Sequence, residues 1–314
     1  MVKMKKIIIC IAVLSLLNAV LFAENETHII PIINYDYFLL ETQAYHSPGV
    51  GLVFTMGNME PVFPEERNNF AIAAFYKPYI MMEEMDYPSF AHGIEFMVNR
   101  RIRSHQILGQ FSAQSSDPVY GGFHTFFTGV GYGNELIRNE HFSLTLGAGI
   151  AVGDFSEIFG QRFYCFPIPI VEFNMDYPWL NLGFEFYTEP ALSITIAPKS
   201  RIRFTGMFTT PAFRNIEDLF FECTLWYRFF GSDHKLGDFA GLGIGVMNNG
   251  MAFTVSERDK TYELSYYAAF AKLDLSFLQL SGGYILSGRE IYDLDTRKDA
   301  GKGFFVSVQA AYQF

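Results

Sequence analysis

The chain has 314 residues, is 50% apolar, and carries a formal net charge of −10. So acidic a chain offers no basic surface to neutralise phosphates, which argues against nucleic acid as a partner. Its cysteines form no CxxC pair and its histidines no HExxH, so no metal and no cofactor is expected.

The first element is a leader. Lys3, Lys5 and Lys6 precede Ile7 to Ala23, a run of apolar and small residues broken only by Asn18, and Glu24 restores polarity. A basic stretch, an apolar stretch and a small residue at the boundary make a secretory signal peptide, residues 1–23, cleaved after Ala23. An uncleaved anchor is the alternative, but the run is at the short limit for a membrane span. Cys10 lies too early in it for a lipoprotein signal. Loss of the leader and its three lysines takes the charge to −13 and leaves residues 24–314 as a single domain.

No later segment reaches the ~18 consecutive apolar residues of a transmembrane helix. The recurring pattern has a period of two. Candidate strands run at 28–42, 49–57 and 70–81, with Ser47-Pro48-Gly49 as a break. In Ala91 to Asn99, Ile94, Phe96 and Val98 oppose Gly93, Glu95, Met97 and Asn99. Candidates at 105–114 and 121–133 follow. His141 to Gly153 alternates throughout: Phe142, Leu144, Leu146, Ala148, Ile150 and Val152 oppose Ser143, Thr145, Gly147, Gly149 and Ala151, which fits a strand and no helix.

The segment 162–174 carries Pro167 and Pro169, whose missing N–H groups face one neighbour, so a bulge or a local loss of pairing is expected there. Candidates at 179–187 and 191–197 come next, followed by Arg201 to Phe208, in which Ile202, Phe204 and Phe208 oppose Arg201, Arg203 and Thr205. In Leu219 to Phe229, Phe221, Cys223, Leu225, Tyr227 and Phe229 oppose Glu222, Thr224, Trp226 and Arg228. Candidates at 238–247 and 251–256 flank Asn249-Gly250, a hairpin or a bulge. Thr261 to Ala271 sets Tyr262, Leu264, Tyr266, Ala268 and Phe270 against Glu263, Ser265, Tyr267 and Ala269, and 276–287 follows. Polar stretches at 58–69, 82–89, 154–161, 231–238 and 288–302 have the composition of surface loops.

Apolar residues at every second position, opposed by small residues and scattered charges, predict an all-β fold: a closed antiparallel transmembrane β-barrel with an even number of strands. A secreted β-sandwich is the alternative, but several runs exceed the usual strand length of soluble proteins. At about 21 residues per strand, about 12–14 strands are expected.

The last element is the most specific. Phe304, Val306, Val308, Ala310, Tyr312 and Phe314 alternate with Ser307, Gln309, Ala311 and Gln313 up to the final residue. This resembles the C-terminal strand of bacterial outer-membrane β-barrels, matched by Val306, Val308, Ala310, Tyr312 and Phe314. The resemblance implies an outer-membrane location and recognition of this strand by the barrel-assembly machinery. Tyr312 and Phe314 suit an interfacial girdle, as do Tyr177 and Trp179.

The expected partners are outer-membrane lipid and the assembly machinery, and the barrel is read as a monomer. Glu95, Glu185, Arg201, Arg203, Glu222, Arg228 and Glu263, with Lys272, oppose apolar faces and are expected in the lumen, since an Arg facing lipid near the midplane costs ~2–4 kcal/mol. They either pair and plug the interior or line a path for solutes. The functional reading is a narrow, porin-like channel or transporter, or a structural surface protein. A barrel enzyme acting on lipid is the alternative. It would need a nucleophile with His and carboxylate in reach, and His124 is the only histidine well inside a predicted strand. Asp293, Asp295 and Asp299 do not complete a calcium loop, because Arg297 and Lys298 occupy ligand and glycine positions.

Overall fold

The computed structural model describes residues 27–42, 44–56, 68–81, 90–115, 125–155, 161–187, 189–210, 219–230, 240–255, 260–275, 277–292 and 296–311. The leader with its cleavage site, His124, Asp293, Asp295, Tyr312 and Phe314 lie outside them.

Sixteen strands form one closed antiparallel barrel among these residues. They are β1 (Thr27–Leu40), β2 (Ala44–Met56), β3 (Asn68–Met81), β4 (Phe90–Ile102), β5 (His105–Ser115), β6 (Thr125–Arg138), β7 (Phe142–Phe155) and β8 (Gln161–Tyr177). Then come β9 (Leu180–Phe186), β10 (Pro190–Ile196), β11 (Ile202–Thr209), β12 (Phe220–Arg228), β13 (Ala240–Val255), β14 (Lys260–Leu275), β15 (Leu278–Tyr292) and β16 (Thr296–Ala311). Each strand pairs with the next, and β16 closes on β1 from Ile32↔Ala311 to Leu40↔Gly303. Closure is obligatory in hydrocarbon, where an open edge leaves backbone groups unsatisfied. At the seam the strands approach closely: a Cβ on Gly303 would lie 1.8 Å from the Leu39 carbonyl oxygen.

The expected 12–14 strands become sixteen because β9 to β12 have only seven, seven, eight and nine residues, so an average strand length undercounts them. Two expected breaks are not breaks. Asn249-Gly250 lies inside β13, which pairs with β14 without a shift from Ala240↔Leu275 to Val255↔Lys260. Ser47-Pro48-Gly49 lies inside β2, which keeps its register with β1 while its pairing with β3 lapses between His46↔Ile80 and Val50↔Tyr76. A proline lacks an N–H toward one neighbour only, and Ser47 Oγ spans the lapse by donating to the Pro78 carbonyl at 2.8 Å.

Pro167 and Pro169 follow the same rule. Both pair in register with β7, opposite Ile150 and Ala148, without the bulge expected there. Pairing is lost on the other side, where β8 meets β9 only from Val171↔Phe186 onward. The described residues of the stretch 288–302 are also not a loop. They form the end of the β15–β16 hairpin, paired from Gly288↔Gly301 to Tyr292↔Thr296.

The end of the barrel where β1 starts and β16 finishes also carries the tight connections 103–104, 139–141 and 178–179.

Candidate functional site: the barrel lumen

Paired residues in an antiparallel ladder share a face, so the register sorts every side chain into the lumen or the outer wall. The outer wall is apolar around the barrel: Ile33, Val130, Ile150, Ile244 and Phe304 are all more than half exposed. Val306, Val308 and Ala310 also face outward, opposite lumen-facing Ser307 and Gln309. Trp179 is 64% exposed beside Tyr177, whose ring stacks on His141 at 4.8 Å, forming part of an aromatic rim at the end with the tight turns. In water this surface would be a large apolar liability, whereas in a bilayer it is the required solvent match.

The described residues form a closed β-barrel with an apolar outer wall. No known family's sequence profile matches the chain, and no curated protein does. Among solved structures it is similar to OccAB3 of Acinetobacter baumannii, with 8% identity over 93% of this chain and 100% of that one and a TM-score of 0.41. It is also similar to OccK2 (OpdF) of Pseudomonas aeruginosa, with 7% identity, 93% and 98% coverage and a TM-score of 0.38. OpdL of Pseudomonas aeruginosa gives 10% identity, 93% and 99% coverage and a TM-score of 0.37.

The barrel's interior is partly filled. Strand β14 faces the opposite way from the sequence reading: Tyr262, Leu264, Tyr266, Ala268 and Phe270 point inward and are buried. They pack with Phe38, Tyr45, Ile285 and Phe305 into an apolar cluster inside the barrel. Phe38 stacks on Tyr45 at 4.5 Å and on Phe305 at 5.7 Å. The inversion puts Glu263 on the outer side of its strand, where it is 4% exposed, so it is not a lumen charge.

The other expected charges divide. Glu95 faces the lumen and accepts a hydrogen bond from Gln110 at 3.0 Å. Glu222 accepts two hydrogen bonds from Lys272 Nζ at 2.6 Å, across the intervening β13. Arg228 is buried and donates to the Pro198 carbonyl at 2.7 Å, tying the end of β12 to the 197–201 turn. Arg203 lies over the Trp226 ring at 5.8 Å, and Trp226 Nε1 donates to Thr205 Oγ1 at 3.0 Å. Arg201 sits in the turn before β11, exposed, rather than in a strand. Glu185 faces inward opposite Glu172.

Several lumen charges escaped the sequence reading. Asp36 pairs with Lys77 at 2.9 Å. Arg101 on β4 pairs with Glu172 on β8 at 2.7 Å, reaching across the lumen past three intervening strands. Glu172 also accepts hydrogen bonds from Tyr187 Oη at 2.9 Å and Asn174 at 3.1 Å. Parity could have found Arg101, which is six positions after Glu95 and therefore on the same face.

The described residues border at least two cavities. One of 170 Å³ is bordered by Asp36, Lys77, Glu222 and Lys272, with Tyr266 and Phe305 beside them. The larger, 360 Å³, is bordered by β3, β4, β5, β6, β8 and the end of β9. Its walls are mainly Ala71, Ala73, Met97, Leu108, Ile168 and Ile170, with Asn99, Gln110 and Glu185 as polar points. Room for it comes from small residues: a Cβ on Gly131 would meet Ile170 Cδ1 at 2.3 Å. Cys165 and Cys223 are free thiols and both lie on the outer wall. Among the described residues, no cluster of metal-ligating side chains occurs.

Proposed function

We propose that the barrel is a narrow channel or transporter whose path runs through the larger lumen cavity. The observation that carries this reading is a 360 Å³ space inside the wall, floored by one ion pair, Arg101–Glu172. A pure scaffold would gain from filling that space, because voids forgo dispersion contacts. The remaining charge pairs hold the interior narrow, so passage is restricted to small or slender solutes.

In this reading the chain is exported behind a leader cleaved after Ala23. The assembly machinery inserts it by reading Val306, Val308, Ala310, Tyr312 and Phe314, and it works as a monomer in outer-membrane lipid.

Planar-bilayer recording of the purified barrel tests the channel. Small single-channel steps are expected, and Arg101→Ala with Glu172→Ala, which removes the floor, should raise conductance at least threefold. A silent wild type and a silent double variant, both folded, would overturn it.

A further inference from the structure

Among the described residues, the strand wall beside the larger cavity is incomplete on one side. β8 has 17 residues, yet only Val171–Tyr177 pairs with β9. Among the described residues, Gln161–Ile170 has β7 on one flank and no strand on the other. Strand β9 has seven residues, about 23 Å long at 3.3 Å per residue. With a barrel tilt it falls short of the ~30 Å hydrocarbon core. Among the described residues the strand wall is therefore low beside β8, at the end away from the β8–β9 turn.

Chemistry at this notch suits lipid. Pro167 and Pro169 occupy the unpaired part of β8, and neither has an N–H that would need a partner. Between them and next to them, Ile168 and Ile170 turn inward and line the cavity. Across the notch, at the top of β9, Glu185 and Tyr187 line the same cavity. The two flanks of the notch are thus walls of the cavity.

We propose that this cavity binds a single-chain amphiphile with a neutral or cationic head group, which moves between lumen and bilayer through the notch between β8 and the end of β9. The inference rests on the channel reading above and names its substrate class. The apolar chain would lie against Ala71, Ala73, Met97, Leu108, Ile168 and Ile170, in a volume at the lower end of the ~300–1,000 Å³ of small-molecule sites. The head group is set by charge. Glu172 and Glu185 are register partners, and Arg101 is ion-paired to Glu172, so this end keeps an excess negative charge. A carboxylate or phosphate head would be repelled there, while an amine or hydroxyl can donate to Glu185.

The test uses the full-length barrel in amphipol, with decylamine, decanol and decanoate as probes, followed by calorimetry. Saturable binding of one decylamine per barrel is expected, at least tenfold tighter than decanoate. Glu185→Gln should narrow that preference to below threefold, and Ala73→Trp should weaken decylamine binding at least tenfold. Met97→Ala, which enlarges the cavity instead of filling it, should favour dodecylamine over decylamine by threefold or more. To test the route, Cys165 and Cys223 are replaced by Ser, and Ile168→Cys with Tyr187→Cys is bridged by a bismaleimide. Decylamine exchange with vesicles should slow at least tenfold while ionic conductance stays within twofold. Absence of saturable binding, no effect of Ala73→Trp and Met97→Ala, or unchanged exchange after bridging would each overturn the proposal. Conductance without amphiphile binding would defeat this inference alone, and binding without conductance would defeat the channel reading.

Discussion

Arg101 and Glu172 each stand one lumen-facing position nearer the tight turns than the cavity walls, Arg101 after Asn99 on β4 and Glu172 after Ile170 on β8, and their side chains meet at 2.7 Å. Both are largely withdrawn from solvent, at 18% and 13% exposure. The pair joins strands that are not neighbours, so it acts as a strut across the barrel as well as a floor.

Removing one end of the strut should cost more than removing both. Arg101→Ala strands a carboxylate in a poorly solvated interior, and about 3 kcal/mol of stability should be lost. Arg101→Met with Glu172→Leu should recover most of that loss. Denaturant unfolding in detergent micelles, followed by the shift between folded and unfolded gel mobility, measures both.

The outer wall should reject charge by position. Leu146→Arg and Val308→Arg place a guanidinium in hydrocarbon, at a cost of ~2–4 kcal/mol near the midplane. Ser143→Arg and Gln309→Arg point into the lumen and should assemble better. Membrane fractionation followed by heat-modifiability on gels separates the two classes, and equal assembly of all four would contradict the assigned faces.

Proline at the edge of β8 should be protective. Pro169→Ala adds an N–H with no strand partner among the described residues, in or near lipid. An unsatisfied buried amide costs about 1–3 kcal/mol, so this substitution should lower the unfolding midpoint, the reverse of what relieving a proline usually does inside a sheet. Pro190→Ala, at the start of β10 and paired with Phe186, serves as the comparison.

The smaller cavity should govern ionic preference. It is bordered by two acids, Asp36 and Glu222, and two bases, Lys77 and Lys272. Lys272→Gln leaves an acidic excess and should shift the reversal potential in a KCl gradient toward cation preference, whereas Glu222→Gln should shift it the other way. The shifts should shrink at high salt, as screening requires.

Much of the fold was legible because one physical rule repeats. Period-two alternation marks a strand and separates its faces, and for β4, β7, β11, β12 and β16 the more apolar face is also the outer one. That inference failed at β14. Its charges fall on both faces, Glu263 outside and Lys272 inside, and Tyr262, Leu264 and Tyr266 fill the interior while Tyr267, Ala269 and Ala271 face outward. Alternation says that there are two faces; only the neighbours' register says which one is inside.

The ion pairs were less legible still. Glu95, Glu222 and Arg228 could be placed in the lumen by parity, but which strands confront one another across a barrel depends on closure and stagger. No local pattern links Arg101 to Glu172, 71 positions away. The short strands β9 to β12 were individually visible as segments, yet their effect on strand number and wall height emerges only when the sheet closes.

The aromatic cluster inside the barrel has a consequence for assembly. Phe38 comes from the first strand and Phe305 from the last, and Tyr266 of β14 packs on both of them. A nascent sheet with its two margins apart would leave these rings without their mates, so the final zippering step gains apolar burial together with its backbone bonds. Dissociation at that junction would have to surrender both at once, which makes the finished cylinder a latch rather than a rolled-up ribbon.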